Sequence, residues 1–370
     1  SIDPEIQKLA EAYGKLSVEV RTKDNKKSDT LRLASWFTRE QQPADADKVF
    51  ADLEAGEILN DLDIQFWENP DELKDLMFSM FQKHIGMKSP NDIEGFNNAL
   101  GIVDGKLDFS KTDGAESFQV LSPVRMHPYG VYDLNRLIQR QFRKEQLSEA
   151  RRKYQFSLGD EEISLLDKVI QLKNKPKKAY NWETREEETH HIANGEVGIV
   201  GRANSPYLSV FFAGRPGLGF GFASWDFPGG SGPLELAYAL TVHKSQGSEF
   251  DTTFIILPKK SRLMTRELLY TAMTRSRKQL VILAEGKKND ISFLYKFTKP
   301  ESSEVARRNT NLFKSVVRSK SDEPPFAEHL IHKTEKGHMV RSKSELVIAN
   351  KLCQLGIEYQ YELRYELPET

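Results

Sequence analysis

A run of hydrogen-bonding side chains lies between two apolar segments of the chain. Residues 241–251 read Thr-Val-His-Lys-Ser-Gln-Gly-Ser-Glu-Phe-Asp and combine hydroxyl, imidazole, ammonium and amide groups. Each of these groups can bond a phosphate oxygen, and Gly247 allows a ligand to approach the backbone closely. The run follows a predicted strand, which is where open α/β sheets place their ligands. A polar loop without a ligand is the alternative, but the density of donors favours phosphate binding.

A second stretch, residues 265–278, predicts an amphipathic helix that ends at Arg275, just before an apolar strand. A guanidinium on a rigid element suits the neutralisation of charge on a transferring phosphoryl group. An arginine that caps a helix carbonyl or forms a salt bridge is the alternative. The presence of both stretches in one chain favours the phosphoryl role.

The elements that must position these groups predict an α/β fold. Residues 1–117 read as mostly helical, with a solvated acidic stretch at 44–63, and residues 118–298 as a second, α/β unit. Its predicted strands at 118–124, 234–240, 252–257 and 279–284 are apolar on both faces. Such strands predict a mainly parallel sheet covered by helices.

Residues 160–232 differ in character from the rest of this unit. Short strands at 167–172, 194–200 and 207–212 alternate with glycine-rich turns, which predicts a small inserted β-barrel. The glycine-rich run 214–221 contains Pro216 and is not followed by Lys-Ser/Thr, so we interpret it as a turn of the barrel.

A long helix is predicted from about residue 133, and its later part is basic. Residues 136–153 contain two acidic residues, Glu145 and Glu149, and seven basic ones. The basic residues are Arg136, Arg140, Arg143, Lys144, Arg151, Arg152 and Lys153. A solvated helix face and a contact to phosphates both explain this pattern.

Composition narrows the class of protein. The 370 residues are 38% hydrophobic and 29% charged, with a formal net charge of −1. No apolar run approaches the roughly 20 residues of a membrane span, and no secretory leader is recognisable. The single cysteine, Cys353, excludes an internal disulfide framework and a multi-cysteine metal site. We therefore expect a cytoplasmic location.

Residues 241–251 and 269–278 resemble motifs V and VI of superfamily 1 helicases of the UvrD/RecD group. The RecD-like branch is similar in four further places, read here as Leu-Ser-Pro at 121–123, Gly130 with Leu134-Asn135, Asp-Lys-Val-Ile-Gln at 167–171 and Asn-Gly-Glu-Val-Gly at 194–198. The resemblance implies a RecA-like, P-loop NTPase-like sheet with an inserted barrel.

The resemblance also implies roles for individual residues. Arg275 would be the arginine finger on the γ-phosphate of ATP. Less directly, Arg21 lies in a run that is similar to motif IV and would be a second phosphate-facing arginine. A surface salt bridge is the alternative for Arg21. The residues implied to bind nucleotide are Gln246, Gly247, Glu249 and Arg275. The residues implied to bind DNA are Thr241, His243, Lys244, Ser122, Arg125 and Asn135.

The chain departs from the family pattern at the nucleotide. No Gly-x-x-x-x-Gly-Lys-Ser/Thr run and no acidic magnesium-binding strand of the Walker B kind occur in the sequence. In the family both belong to a preceding RecA-like domain. The resemblance thus implies the C-terminal motor half of an ATP-dependent DNA helicase, which binds ATP with Mg²⁺ jointly with that domain and is inactive alone. Single-stranded or partly duplex DNA is the expected partner. A non-catalytic nucleic-acid-binding module and an RNA helicase fragment are the alternatives.

The tail resembles a different family. Residues 338–370 are similar to the opening helix and strand of a PD-(D/E)xK nuclease-like domain, joined by a linker at 299–337 and cut before the domain is complete. Glu345 would lie near a Mg²⁺ site only in a complete domain. A motor fused to a nuclease would suit DNA repair. An amphipathic helix with one exposed glutamate is the alternative.

Overall fold

The structure is a computed structural model that describes residues 28–38, 46–154, 157–204, 206–259, 263–303, 332–340 and 342–359. Its α-helices are α1 (Asp29–Ser35), α2 (Lys48–Ala55), α3 (Pro70–Ile85), α4 (Ile93–Ala99), α5 (Val131–Phe142), α6 (Lys144–Glu149), α7 (Arg266–Met273), α8 (Ser292–Thr298) and α9 (Lys343–Gln354). Short 3₁₀ turns lie at Thr112–Glu116, Ser224–Asp226, Pro228–Gly230 and Pro300–Ser302, and a π-helical turn at Ala150–Tyr154.

The strands are β1 (Leu62–Trp67), β2 (Ile102–Val103), β3 (Lys106–Leu107), β4 (Phe118–Ser122), β5 (Lys168–Gln171), β6 (Lys175–Asn181), β7 (Glu187–Ile192), β8 (Val197–Asn204), β9 (Tyr207–Phe212), β10 (Leu218–Ala223), β11 (Leu234–Leu236), β12 (Ala239–Thr241), β13 (Phe250–Leu257), β14 (Ser276–Glu285), β15 (His332–Lys333) and β16 (Met339–Val340).

A parallel sheet of five strands forms the centre of the fold, in the order β1-β14-β13-β4-β12. All of β4 and nearly all of β13 are buried, as expected for strands covered on both faces. Helix α3 packs on β1 and β14, α5 on β12, and α7 on β13 and β14. The predicted parallel α/β sheet is confirmed.

The edge strand β1 was not predicted, since residues 44–63 were interpreted as a helix face and loop. In β1, Asp63 and Gln65 alternate with apolar residues and acidic residues precede the strand, so its sequence is less apolar than a central strand. Asp61, just before it, accepts hydrogen bonds from the backbone N–H groups of Asp29 and Thr30 at 2.8 and 3.1 Å. One carboxylate therefore joins the first turn of α1 to the start of β1.

An antiparallel sheet of seven strands is inserted between α6 and β12, in the order β11-β5-β8-β9-β10-β6-β7. The predicted β character of residues 160–232 is confirmed, and β9 covers the residues predicted for it. The order ends at β11 and β7, so closure into a barrel stays a prediction. Gly214 and Gly217, with φ of 70° and 75°, form the predicted turn, but residues 218–221 belong to β10.

The predicted strand at 234–240 is divided between the two sheets. Strand β11 pairs antiparallel with β5, whereas β12 pairs parallel with β4. Between them, the Tyr238 hydroxyl donates to Asp167 Oδ1 at 2.8 Å, and Gln119 Nε2 donates to the Tyr238 carbonyl at 3.1 Å. Because buried polar groups need partners, these bonds stabilise the chain where it crosses from one sheet to the other.

The predicted tail helix is confirmed as α9, and the Lys343 ammonium in its first turn donates to the Ser35 carbonyl at 3.0 Å. Residues 357–359 have no regular structure, and the rest of the predicted strand lies outside the described residues, as does most of the predicted linker. A nuclease-like domain stays a prediction. Within the described ranges, no helix combines the length and apolarity that crossing a bilayer requires.

Candidate functional site

The loop at 242–249 connects two sides of the parallel sheet: the carboxyl ends of its strands, called here the carboxyl edge, and their amino ends, called the amino edge. Before it, Thr241 pairs with Ser122, the last residue of β4, and after it, Phe250 pairs with Ser276, the first residue of β14. The loop thus starts at the carboxyl edge and ends at the amino edge, a separation of roughly 20 Å along β13. The sequence analysis placed the whole run at the carboxyl edge. That placement is wrong for the second half of the loop. Strand β12 is short and the next strand, β13, runs parallel to the other strands of the sheet, so the chain must return to the amino edge before β13 begins.

Overlapping turns shape this loop. The Ser245 hydroxyl, fully buried, donates to the Val242 carbonyl at 2.8 Å, and the Ser248 N–H donates to the Ser245 carbonyl at 3.1 Å. Gly247 has a φ of 88°, a conformation that strains a side-chain-bearing residue. The turns leave His243 and Gln246 exposed. Both predicted ligand-facing side chains therefore reach solvent.

Arg275 lies at the end of α7, against the second half of this loop. Its Nε donates to the Thr271 carbonyl at 3.1 Å and its Nη1 to the Ser248 carbonyl at 3.1 Å. The Phe250 N–H donates to the Arg275 carbonyl at 2.8 Å, and the residue is 8% exposed. Arg275 and Ser248 are thereby brought together at the amino edge of β13 and β14, and a shared nucleotide site with Gln246, Gly247 and Glu249 stays a prediction.

Arg277 is a second arginine at this edge, which the sequence analysis did not single out. Its Nη2 donates to the Glu249 carbonyl at 3.1 Å and to Glu116 Oε2 at 3.0 Å, and its Nε lies 3.3 Å from Asp251 Oδ1. These contacts hold Glu249, the last residue of the loop, in place. The sequence pattern that could have indicated Arg277 is the alternation of arginines at 275 and 277, at the start of a strand.

Two of the predicted DNA-binding residues meet at the opposite, carboxyl edge through Glu235. The Lys244 ammonium contacts Glu235 Oε2, and Arg125 Nη2 lies 3.4 Å from Glu235 Oε1. The Lys244 N–H also donates to Thr241 Oγ1 at 3.4 Å. Glu235 was missed because a glutamate between two leucines in a strand is indistinguishable from an ordinary solvent-facing residue.

Behind Glu235 lies a second carboxylate, Glu161. Its Oε2 accepts the Leu236 N–H at 2.5 Å. Burial raises the pKa of the Glu161 carboxyl, and the neighbouring charge of Glu235 raises it further. Acidic and basic groups are therefore interleaved at the carboxyl edge.

Ser122 and Asn135 require a correction, because their side chains are buried rather than available for direct DNA contact. The Ser122 hydroxyl donates to the Tyr129 carbonyl at 2.8 Å. Asn135 Nδ2 donates to the carbonyl of Ala239 at 3.0 Å, and Asn135 Oδ1 accepts the N–H of the same residue at 2.7 Å. Both residues position the loops of the carboxyl edge.

The two remaining candidates are Arg21 and Glu345. Arg21 lies outside the described residues. Glu345 forms a capping box with Ser342 at the start of α9: its carboxylate accepts the Ser342 N–H at 3.1 Å, and its own N–H donates to the Ser342 hydroxyl at 3.2 Å. Across the described ranges, no group of three or more His, Cys, Asp or Glu side chains is arranged to hold a metal ion.

Comparison with known proteins relates this site to helicases. Residues 236–283, which include the loop and Arg275, match the model of the UvrD-like helicase C-terminal domain family. An uncharacterized protein of Methanocaldococcus jannaschii is 28% identical over 348 residues, covering 86% of this chain and 28% of that protein. The ATP-dependent RecD2 DNA helicase of Deinococcus radiodurans is 33% identical over 165 residues, covering 44% of this chain and 19% of that helicase.

A crystal structure of Pif1 helicase from Bacteroides in complex with ADP-AlF3 and ssDNA is also similar. It covers 62% of this chain and 55% of its own, with 14% sequence identity and a TM-score of 0.25. The chain spans less than a third of the length of the two relatives from M. jannaschii and D. radiodurans. The family match and the RecD2 relative support a superfamily 1 helicase.

Proposed function

We propose that this chain supplies the second RecA-like motor domain of an ATP-dependent superfamily 1 helicase that moves along single-stranded DNA. The observation that carries the proposal is the course of the loop 242–249. One short segment connects Thr241, at the edge with Lys244 and Arg125, to Ser248, which contacts Arg275. A motor needs such a link, because nucleotide turnover at one place must change the grip on a strand at another.

At the amino edge, Arg275 would face the γ-phosphate of ATP, with Gln246, Gly247 and Glu249 lining the nucleotide. The bonds from Arg275 to the carbonyls of Thr271 and Ser248 orient the guanidinium. A pre-oriented positive charge stabilises the negative charge that develops on a transferring phosphoryl group. The rest of the nucleotide pocket would come from another RecA-like domain, since these 370 residues contain no phosphate-binding loop.

The donors at this edge fit phosphate better than a metal ion. Arginine and glutamine side chains and backbone N–H groups bond anionic oxygens, whereas Mg²⁺ takes carboxylate and phosphate oxygens and water. We therefore assign the Mg²⁺ that accompanies ATP to residues of the other domain. The metal would neutralise phosphate charge there, and the residues of this chain would orient the nucleotide and stabilise the transition state.

At the carboxyl edge, the Thr241 hydroxyl, His243, Lys244 and Arg125 would bind the strand through its phosphates. Ser122 and Asn135 would act by positioning, because both are buried against the backbone of the same edge. Closure of the two motor domains on ATP would press on the loop at Ser248 and shift its start at Thr241.

The test is Arg275→Ala in the full-length protein, with Arg275→Lys beside it and Arg185→Ala, an exposed position in the β6–β7 turn, as a control. We expect nucleotide binding to persist and ATP turnover to fall on the order of 10³-fold or more for Arg275→Ala. Lysine should rescue little, because it lacks the planar fork that contacts two carbonyls. ATP turnover by Arg275→Ala equal to that of the control would refute the proposal.

A further inference from the structure

A cleft follows α5 and α6 on the side of the molecule next to the carboxyl-edge site. It is lined by residues from both helices and from the turn before β5, and five of these are basic: Arg136, Arg140, Lys144, Arg151 and Arg152. Glu162 is the one acidic residue in the lining. The chain as a whole carries a net charge of −1, so this concentration of positive charge is local and does not reflect a basic composition.

Glu162 is already engaged by two of the five basic residues. Arg151 Nη2 contacts its Oε1 at 2.9 Å and its Oε2 at 3.0 Å, and Arg136 Nη1 lies 3.5 Å from Oε2. The side chains of Arg140, Lys144 and Arg152 are exposed, and in the described part of the chain none of them has a carboxylate within ion-pair distance. Three uncompensated cations therefore remain in the cleft.

The spacing of these cations is unfavourable for the protein on its own. Arg136 and Arg140 are four residues apart on α5, a separation at which like charges on a helix repel, and Lys144 adds a third positive charge at the start of α6. Arg143, from the same basic run, behaves differently: it is fully buried and donates to the Leu166 carbonyl at 2.9 Å and to Asn97 Oδ1 at 2.7 Å. Arg136 also bonds a backbone carbonyl, that of Glu161, whereas no comparable bond is formed by Arg140, Lys144 or Arg152 within the described residues.

The cleft is continuous with the carboxyl-edge site. Arg136 donates to the backbone carbonyl of Glu161 at 2.9 Å, and the Glu161 carboxylate accepts the Leu236 N–H at 2.5 Å. Leu236 follows Glu235, the residue that contacts both Lys244 and Arg125. Helix α5 begins soon after Arg125 and extends roughly 18 Å towards Lys144. These bonds and helix α5 link the carboxyl-edge site to the cleft.

We infer that this cleft is a second binding site for a nucleic-acid backbone, in which Arg140, Lys144 and Arg152 bind successive phosphates of a strand that extends beyond the Thr241–Lys244 site. The inference rests on the proposed function, since it extends the same strand. No aromatic residue is among the described residues that line the cleft. Exposed cations recognise phosphates and not bases, so the site should be indifferent to sequence.

The test is the triple variant Arg140→Gln, Lys144→Gln and Arg152→Gln. Its matched control is Lys74→Gln, Lys106→Gln and Lys287→Gln, which changes the net charge equally at exposed positions away from the cleft. Binding of fluorescent oligo-dT of increasing length is measured at several salt concentrations. For long oligonucleotides, we expect the cleft variant alone to bind more weakly and its log–log salt slope to lose about 2, since each phosphate contact contributes about 0.7.

Oligonucleotides short enough to occupy only the Thr241–Lys244 site should bind the cleft variant and the wild type equally. A cleft variant with an unchanged salt slope on long oligonucleotides overturns the inference and leaves the proposed function standing, provided that Lys244→Gln weakens binding of the short ones. Failure of the wild-type protein to bind any length overturns both.

Discussion

Arg275 Nη1 donates to the carbonyl oxygen of Ser248 at 3.1 Å, which ties the end of α7 to the loop that precedes β13. A backbone carbonyl is an unusual partner for an arginine that is expected to contact phosphate, because the bond holds the guanidinium within the domain before any nucleotide binds. The contact has a mechanical meaning: a force on the Arg275 side chain is transmitted directly to residues 242–249.

Gly247 is the position at which this transmission can be tested. Its φ of 88° makes alanine strained, although no atom would crowd the added methyl group. In the full-length protein we expect Gly247→Ala to reduce the stimulation of ATP turnover by single-stranded DNA several-fold. Gly214→Ala, with φ of 70° and equally open space in the β9–β10 turn, is the control. Equal stimulation in the two variants would show that the loop shape is irrelevant to coupling.

Glu235 provides a second prediction, since its carboxylate contacts Lys244 and Arg125 where a phosphate would bind. Glu235→Gln removes a negative charge that repels the strand, and exposed ion pairs contribute only about 0–1 kcal/mol to stability. We expect a few-fold tighter binding of oligo-dT at low salt, measured by fluorescence anisotropy. Glu187→Gln, which breaks the exposed pair with Lys178, should leave affinity unchanged. Weaker binding by Glu235→Gln would mean that the carboxylate orients the cations instead.

Asn135 separates a positioning role from a direct contact. Its amide forms bonds to the backbone of Leu236 and Ala239, so alanine leaves buried groups without partners, at about 1–3 kcal/mol each. We expect Asn135→Ala to lower the free energy of unfolding in urea by roughly 2–4 kcal/mol. Asn98→Ala, exposed on α4, should cost far less. A loss of DNA affinity at unchanged stability would restore the direct contact predicted from sequence.

Lys168 predicts a pH dependence of stability. Burial lowers the pKa of its ammonium to about 7, and the group donates to the Phe118 carbonyl at 2.5 Å. Between about pH 7 and the unfolded value of 10.5, the unfolded chain holds a proton that the folded chain has lost. The free energy of unfolding therefore rises with pH in this window, by at most about 1.4 kcal/mol per pH unit.

The Lys168→Met variant should lose this rise, as urea unfolding between pH 6 and 10 would show. Burial also lowers the pKa of Lys343, to about 6. Lys343 therefore contributes a separate rise in the free energy of unfolding, which begins near pH 6. Lys343→Met should therefore keep the slope contributed by Lys168. An unaltered profile in Lys168→Met would mean that the lysine keeps its ordinary pKa in the folded protein.

The parallel sheet could be predicted because β4, β13 and β14 are apolar on both faces, which leaves little choice but a buried strand. Strand β1 could not, since a half-buried edge strand among acidic residues lacks that pattern. The two motifs led us to expect Arg275 near the loop, and the structure shows its contact with Ser248. The carboxyl-edge cluster could not be predicted, because Arg125 and Glu161 come from elements 110 and 75 residues away from Glu235 and Leu236, the residues that they contact.

The break at residues 237–238 was also beyond prediction. Residues 234–240 are apolar apart from Glu235, and nothing local indicates a change of sheet. The break is set by partners elsewhere, namely the Asp167 carboxylate and the Gln119 amide. Tertiary bonds of this kind override a local strand pattern because each satisfies a buried polar group.

Strands β11 and β12 are separated by two buried residues, so no hinge lies between the antiparallel and the parallel sheet at this crossing. When the central sheet turns through a small angle, the inserted sheet must turn with it as one body. Its far strands β6 and β7 would then move through a larger arc than the amino edge of the sheet. If the chain closes around a nucleotide as we propose, the insertion would act as a lever arm, with a small closure at the nucleotide giving a longer displacement at its tip.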